Sequence, residues 1–358
     1  MKKGEKGKVF VGLSGGVDSA VSAALLQEQG YDVTGLFVRI ALPEYPCEVV
    51  EDRRSALRVA THLQIPFLEV DLSKEYRQKV FDEMLAGYRR GETPNPDTLC
   101  NREIKFGLMY GYAREHGADF LATGHYAQTT MAKDGSVHLM ASTDKEKDQS
   151  YFLWMVPEHA LAHVLFPVGG MKKLQVRALA KKFGLPNAER KDSQGICFLG
   201  RLSMEELLTH ELHPQEGKVI DERGEVIGTH RGAILYTLGQ RHGFSVPAHN
   251  PHETPLEVIA KNISANTITV APQTENAAEN SEVGVSTTAR LHDVNWIGKV
   301  ADDAYLARFR YRQTLIPARL VRDDDSATVV LEGVHHLPSG QSLVLYKGEQ
   351  CLGGGIIQ

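Results

Sequence analysis

Lys8-Val9-Phe10-Val11-Gly12-Leu13-Ser14-Gly15-Gly16-Val17-Asp18-Ser19 is the stretch that decides how the chain folds. Its first half is an apolar run rich in Val and Phe, the composition of a strand buried on both faces. Its second half sets two glycines between serines, and from residue 20 to 29 apolar residues recur at helical spacing until Gly30 closes the run. A strand that turns through glycine into a helix N-terminus builds an anion site. Glycine lets the backbone come close, Ser14 and Ser19 offer hydroxyl donors, and the first N–H groups of the helix have no partner within it. The Gly-Lys-Ser/Thr ending of the ATPase P-loop is absent, as is the third glycine of the dinucleotide fingerprint. The stretch therefore reads as a phosphate cradle of another kind. The bland alternative is a Gly-rich turn with Asp18 or Ser19 as N-cap; a strand before and a helix after favour the cradle.

The same alternation continues to about residue 200. Strands are expected at 8–13, 33–37, 67–70 and 119–123, and amphipathic helices at 20–29, 51–63, 76–88 and 104–116. Strands separated by helices pair in parallel. Beyond residue 200 the texture changes to hairpins, one at 217–230 around Glu222-Arg223-Gly224-Glu225 and one at 256–270 around Ser264–Asn266. Residues 272–282 read as a linker, and 287–357 as the short strands of a small barrel. The expected fold class is α/β, with a parallel-sheet domain over 1–204, a central β domain over 205–275 and a β-barrel-like domain over 283–358.

Composition narrows the class of protein. With 42% hydrophobic and 24% charged residues the chain is too apolar for general disorder. No run approaches the roughly 18 apolar residues of a membrane span, and the basic start lacks the apolar core and cleavage site of a signal peptide. The cytoplasm is the expected compartment, with no membrane partner. Cys47, Cys100, Cys197 and Cys351 are too sparse for a disulfide scaffold and form no CxxC pair. A net charge of -5 gives no overall sign of nucleic-acid binding, so an RNA partner must rely on local basic patches.

Two further constellations carry chemistry. In Thr93-Pro94-Asn95-Pro96-Asp97-Thr98-Leu99-Cys100-Asn101 two prolines stiffen an extended loop, and Asp97 stands three residues before Cys100 at an expected helix start. A helix N-terminus favours the thiolate; a buried structural cysteine with Asp97 as N-cap is the alternative. In Lys191-Asp192-Ser193-Gln194-Gly195-Ile196-Cys197-Phe198-Leu199 a glycine turn precedes a cysteine among apolar residues. Alone, Cys197 reads as core. Together with Cys100 and a nucleotide motif upstream, it reads as half of a thiol pair. Lys172-Lys173 and Lys181-Lys182 read as solvated helix faces. Cys47 and Cys351 read as structural.

These segments resemble a known family. SGGVDS resembles the PP-loop of ATP pyrophosphatases, which cleave ATP between its α and β phosphates. Over nearly the whole chain, GLSGGVDS (12–19), TPNPDTLCNREIKF (93–106), ATGHYA (122–127), KDQSYFLW (147–154), FPVGGMKK (166–173), KDSQGICF (191–198), YTLGQRHG (236–243), DVNWI (293–297), RYRQ (310–313) and CLGGGII (351–357) resemble the bacterial tRNA-specific 2-thiouridylases. That family replaces the 2-oxygen of the wobble uridine with sulfur. The chain departs from the family pattern in VRIALPEYP (38–46), in the stretch after Gly243 and in GVHHLP (333–338).

The resemblance implies a set of roles. ATP would lie on Gly12, Leu13, Ser14, Gly15, Gly16, Val17, Asp18 and Ser19, with Val38 and Gly124 beside them, and Mg2+ would come with its phosphates through Asp18. Cys197 would carry a persulfide and Cys100 would be the partner nucleophile, the two passing through a transient disulfide. Asp97 would serve as acid and base, with Asn95, Pro96 and Asp97 against the target base. Contacts to tRNA of the Glu, Gln and Lys type fall on His125, Lys147, Asp148, Gln149, Arg310, Tyr311 and Gln341. Arg312 is a further phosphate contact by its charge, and for His125 a hydrogen-bonded core histidine is the alternative. Sulfur would arrive from a sulfur-relay protein or a cysteine desulfurase. Two other readings stay open: a PP-loop ligase that amidates an adenylated carbonyl, and a nucleotide-gated RNA-binding protein without turnover. Neither has a use for the pair Cys100 and Cys197.

Overall fold

The computed structural model describes residues 5–45, 49–192, 202–247, 254–273, 286–322, 327–334 and 336–358. Cys47 and residues 193–201, with Cys197 among them, lie outside the described residues. The opening apolar run forms β1 (Lys8–Gly12), followed by α1 (Val17–Glu28), β2 (Asp32–Arg39), α2 (Val49–His62), β3 (Phe67–Asp71) and, further on, β4 (Phe120–Ala122). With the short strand Val164–Leu165 they make a five-stranded, all-parallel sheet in the order β3, β2, β1, β4, Val164–Leu165. Side chains alternate across a strand. Val9 and Val11 therefore join Ala20, Val21 and Val59 in one core, while Phe10 enters another with Tyr76, Ile104 and Trp154. Burial on both faces explains why β1 reads as one continuous apolar run.

Two helical stretches run longer than their periodicity suggested, because each contains a widened turn. The first spans 73–90 through the π-helical Arg77–Phe81, and the second spans 96–115 through the π-helical Cys100–Met109. π-Turns shift the side-chain phase and are frequent at functional sites. This one begins at Cys100.

Both β regions follow. Gly217–Ile220 pairs antiparallel with Val226–His230, and Leu256–Asn262 with Thr267–Pro272, while Thr267–Thr269 runs parallel to Lys218–Ile220 and welds the hairpins into one sheet. The last six strands close into an antiparallel barrel, since Ser286–Trp296 pairs with both Ala327–Glu332 and Gln350–Ile357. One feature is absent from the sequence reading. A hairpin of the first domain, Ala127–Met131 and Val137–Ala141, adds to the barrel's final strand by Gln350↔Met140 and Cys351↔Leu139.

The residues after that hairpin lock the barrel to the parallel-sheet domain. Asp148, only 4% exposed, pairs with Arg308 at 2.6 Å and accepts the N–H groups of Ser142 and Ser150 at 3.0 and 3.1 Å. Arg308 also donates to the Tyr346 hydroxyl at 2.7 Å, and Tyr151 donates to the carbonyls of Phe309 and Ser342, both at 3.0 Å. Cys351 lies in the same core, where burial pushes its thiol up to about 12; it is structural, as its place in the closing strand suggests. Removing one partner of a buried pair strands the other charge, at roughly 3–5 kcal/mol. We expect Arg308→Met to lower the unfolding free energy by that order, read as a lower urea midpoint, and the double variant Asp148→Leu with Arg308→Met to recover part of it. An unchanged midpoint in the single variant would show that the pair does not hold the junction.

Candidate functional site

The cradle sits at the carboxyl end of β1, at the sheet edge where parallel α/β folds bind ligands. Gly15 has φ +80°, and a Cβ there would lie 2.5 Å from the Asp52 carbonyl oxygen, so this backbone admits only glycine. The Gly15 carbonyl is held from behind by three donors: Ser55 Oγ at 2.8 Å, Asn187 Nδ2 at 2.9 Å and Arg190 Nη1 at 3.2 Å. Asn187 also reaches the Gly16 carbonyl at 3.1 Å, and Arg190 is fixed by Asp52. Across a trans peptide the carbonyl and the next N–H point in opposite directions. Clamping these two carbonyls thus turns the N–H groups of Gly16 and Val17 away from the clamp, to the side where the Ser14 hydroxyl accepts from Gly16 N at 3.4 Å. Gly16, not Asp18 or Ser19, is the N-cap, and no side chain satisfies that helix end. Gly124 closes one wall, since a Cβ there would lie 2.7 Å from Ser19 N and 2.8 Å from Asp18 C.

Above the cradle lies a network of charges. Lys173 Nζ is 2.8 Å from both carboxylate oxygens of Asp18 and 2.9 Å from Asp192. Tyr126 donates to Asp18 Oδ1 at 2.9 Å, and burial together with the Asp18 charge raises the Tyr126 pKa. Asp192 is also bound by Lys147 at 2.9 Å and by Arg177. Burial alone would raise its pKa; hydrogen bonds and charge from Lys147 and Lys173 outweigh burial and hold its carboxyl well below the usual range. The expected solvated face at Lys172-Lys173 is corrected here. The Lys173 side chain is only 15% exposed, because it opens a helix (Lys173–Lys182) aimed at Asp18. Lys181, 63% exposed, keeps the solvated role.

Next to Gly124, His125 is buried. Its Nδ1 lies 2.7 Å from Thr123 Oγ1 and its Nε2 lies 3.4 Å from Lys105 Nζ. Burial first, then the Lys105 ammonium, holds the imidazole pKa well below 6.5. An ammonium can only donate, so Nε2 accepts and Nδ1–H donates to Thr123. His125 is a neutral, hydrogen-bonded histidine at the sheet edge.

The Pro-rich loop takes a different form from the one expected. Asn95, not Asp97, is the N-cap, its Oδ1 accepting from Thr98 N at 3.4 Å, with Pro96 at the first helical position. Cys100 therefore lies beyond the first turn, where the dipole has faded, and at 1% exposure its thiol is packed in the core with Ile104 and Leu153. Its N–H bonds to the carbonyls of Pro96 and Asp97, so Asp97 and Cys100 sit on consecutive turns of one helix. The loop is pinned by both β regions: Thr93 N donates to Ser339 O at 2.8 Å, Gln341 Nε2 to Thr93 O at 2.7 Å, and the Thr93 and Thr237 hydroxyls lie 3.3 Å apart.

The other residues singled out by sequence fall into three groups. Lys147 joins the cradle network. Gln149 exchanges hydrogen bonds with the Tyr126 backbone at 2.8 and 2.9 Å, and Tyr311 packs on Phe152 with ring centres 4.7 Å apart. Arg312, its guanidinium 5.2 Å from the Tyr311 ring, donates to Glu146 O, and Arg310 donates to Leu238 O at 2.7 Å. The 146–152 and 310–313 segments thus meet at one junction, with Arg310 and Arg312 exposed. Asp148 stands apart, its carboxylate consumed by Arg308, and Val38 is a buried residue near the end of β2. Asn187, Arg190 and Asp52 escaped the sequence reading, since nothing in their spacing marks a residue that acts on a distant carbonyl. Lys173 and Asp192 were in view, inside FPVGGMKK and KDSQGICF. Among the described residues no cluster of three His, Cys, Asp or Glu could hold a metal ion by itself, and no helix is long and apolar enough to cross a membrane.

Comparison with known proteins agrees with this architecture. A family model described as a tRNA methyl transferase HUP domain matches residues 7–201, one described as a tRNA methyl transferase PRC-barrel domain matches 205–272, and an aminomethyltransferase beta-barrel domain matches 286–357. The tRNA-specific 2-thiouridylase MnmA of Enterococcus faecalis is 40% identical over 363 residues, covering 100% of this chain and 96% of that protein. The protein of the same name from Pediococcus pentosaceus is 40% identical over 367 residues with the same coverage. Among solved structures, a 4-thiouridine synthetase–RNA complex with bound ATP aligns with TM-score 0.37 and 21% identity over 59% of this chain and 50% of that one. A family model over more than half of the chain, and relatives at this identity along all of it, establish that the chain belongs to the tRNA-specific 2-thiouridylase family.

Proposed function

We propose that this protein is a tRNA sulfurtransferase that uses ATP to activate the C2 oxygen of the wobble uridine and then replaces that oxygen with sulfur. The observation that carries the reading is the bridge Asp18–Lys173–Asp192. It ties a phosphate cradle to the chain that leads, five residues after Asp192, into Cys197. A cradle joined through a short stretch of sequence to a sulfur carrier is what the chemistry needs. The uracil 2-carbonyl is a poor electrophile with a poor leaving group, so its oxygen attacks the α phosphorus, the α–β bond breaks, and pyrophosphate leaves. The N–H groups of Gly16 and Val17 and the hydroxyls of Ser14 and Ser19 receive the phosphates. Mg2+ arriving with the nucleotide would neutralise phosphate charge, and Asp18 would be the carboxylate to hold it.

Sulfur transfer follows on the cysteines. Cys100, as thiolate, attacks the inner sulfur of a persulfide on Cys197. A Cys100–Cys197 disulfide forms, hydrosulfide leaves and adds to C2, and AMP departs with the original oxygen. An external thiol then resets the pair, which requires a reducing compartment such as the cytoplasm, and a persulfide donor protein reloads Cys197. Asp97, one turn before Cys100, takes and returns the protons in this reading. The buried thiol of Cys100 must be uncovered first. Its loop is pinned by Thr237, Ser339 and Gln341, so an RNA that engages Arg310, Tyr311, Arg312 and Gln341 acts on the segment that leads to Cys100.

Nucleoside mass spectrometry of wobble-uridine tRNA, incubated with protein, ATP, Mg2+ and a persulfide donor, tests the reading. We expect 2-thiouridine only when ATP is present. Cys100→Ser and Cys197→Ser should each abolish it while pyrophosphate is still released from ATP and the adenylated uridine accumulates; thiolation at the normal rate in Cys197→Ser would end the persulfide assignment. A second test addresses the cradle. A non-glycine residue at φ +80° costs roughly 1–2 kcal/mol, and its Cβ collides with the Asp52 backbone. Gly15→Ala should therefore stay folded and lose at least about tenfold in ATP affinity by equilibrium binding, one lost charge-assisted hydrogen bond being worth that much.

A further inference from the structure

The helix that carries Cys100 is wound in two ways. Residues Cys100–Met109 are π-helical, and Tyr110–Glu115 are α-helical. An α-turn closes between residues four apart and a π-turn between residues five apart, so each wide turn holds one extra residue. Closing a wide turn to an α-turn rotates the chain before it by about 100° relative to the chain after it. A glycine stands where the wide winding leaves least room. A Cβ at Gly107 would lie 2.8 Å from the Arg102 carbonyl oxygen, five residues back, although Gly107 itself is exposed. At Gly111, in the α-helical part, a Cβ would meet nothing within 4 Å.

The wide register buries polar atoms that it does not satisfy. Thr98, Cys100 and Asn101 are all buried. Among the described residues, Thr98 Oγ1 and Asn101 Oδ1 find no hydrogen-bond partner, whereas buried polar atoms are normally paired. Contacts from outside the helix hold this register. Asn101 Nδ2 donates to Phe152 O at 2.9 Å, Tyr311 packs on Phe152, and Thr93 is bound by Ser339 and Gln341. Closing one wide turn would carry Cys100 to the angular place of Leu99 and Thr98 to that of Asp97, both half-buried positions. Packed elements that shift in register between two discrete arrangements are a recurrent form of switch. We infer that Gly107 is a positioning residue for Cys100: by admitting the wide turns it keeps the thiol in the core, and rewinding of 100–109 to α-helix turns the thiol out. This rests on the reading above, in which a buried Cys100 must be uncovered before it attacks, and deepens it by naming the movement. An RNA on Tyr311 and Gln341 would loosen the holds at Phe152 and Thr93.

Thiol alkylation tests this without reference to turnover, since its rate follows the fraction of molecules in which the thiol is uncovered when opening is fast. The full chain is treated with iodoacetamide, and the tryptic peptide 91–102, whose only cysteine is Cys100, is followed by mass spectrometry. Gly107→Ala should speed labelling of Cys100 by about fivefold, the factor by which alanine outweighs glycine in an α-helix. In the wide turn the added Cβ meets the Arg102 carbonyl instead. Gly111→Ala favours the helix in either winding and should leave the rate within about twofold. Thr98→Val removes the orphaned hydroxyl at nearly constant shape, favours the buried register and should slow labelling by at least about threefold. That variant keeps the inference falsifiable even if Gly107→Ala fails to fold. An unchanged or slower rate in Gly107→Ala, an equal gain in Gly111→Ala, or an unchanged or faster rate in Thr98→Val would overturn the inference. So would labelling of Cys351 in step with Cys100 in Gly107→Ala, the mark of general loosening. None of these rates needs ATP, tRNA or a sulfur donor. Absence of 2-thiouridine alongside the expected rates would therefore overturn the proposed function and leave the positioning of Cys100 standing.

Discussion

The pair between Asp148 and Arg308 is the constraint on which the arrangement of the chain depends. Both groups are more than nine-tenths buried, and neither could remain charged there without the other and its hydrogen bonds. Asp148 belongs to the segment between β4 and the last strand of the parallel sheet, Val164–Leu165, and Arg308 to the barrel. Their union therefore fixes where the barrel lies. From that placement follow the seating of Tyr151 on Phe309 and Ser342 and the reach of Gln341 to the Thr93 carbonyl. The Pro-rich loop is held by residues almost 250 positions away in sequence because a buried charge pair has already brought the two regions together.

Within the parallel-sheet domain a second constraint acts on the backbone itself. A phosphate cradle needs N–H groups that point outward in fixed directions, and N–H groups cannot be pulled from the ligand side before the ligand arrives. The chain solves this from behind, by loading the Gly15 carbonyl with Ser55, Asn187 and Arg190. These donors come from α2 and from the turn at 187–190, elements otherwise remote from the cradle. Preorganising the loop in this way spares the ligand part of the cost of ordering it.

How far the sequence could be read follows from the same physics. The parallel sheet was legible, because strands buried on both faces and helices with one apolar face leave periodic signals. The strand-to-helix turn at 12–17 was legible too, since paired glycines between an apolar run and a helical period mark it. What escaped were relations with no period. The hairpin 127–141 pairs with a strand at the far end of the chain, and nothing in its own residues names that partner. Lys173 was misread because paired lysines are usually solvated, and only the fold reveals two carboxylates in front of one of them. The helix start near Cys100 was misplaced by two residues, with Asn95 taking the cap assigned to Asp97. That small shift moved the thiol beyond the first turn, so its reactivity cannot be ascribed to the helix dipole.

A chain of net charge -5 built to bind two polyanions, a nucleotide and an RNA, must concentrate its cations and yet keep them from repelling one another before either ligand binds. At the cradle it does so by interleaving: Lys147, Lys173, Arg177 and Arg190 each face Asp18, Asp52 or Asp192. Such a site is close to neutral, with four cations set against three carboxylates, so its cations do not repel one another as they would in an open positive field.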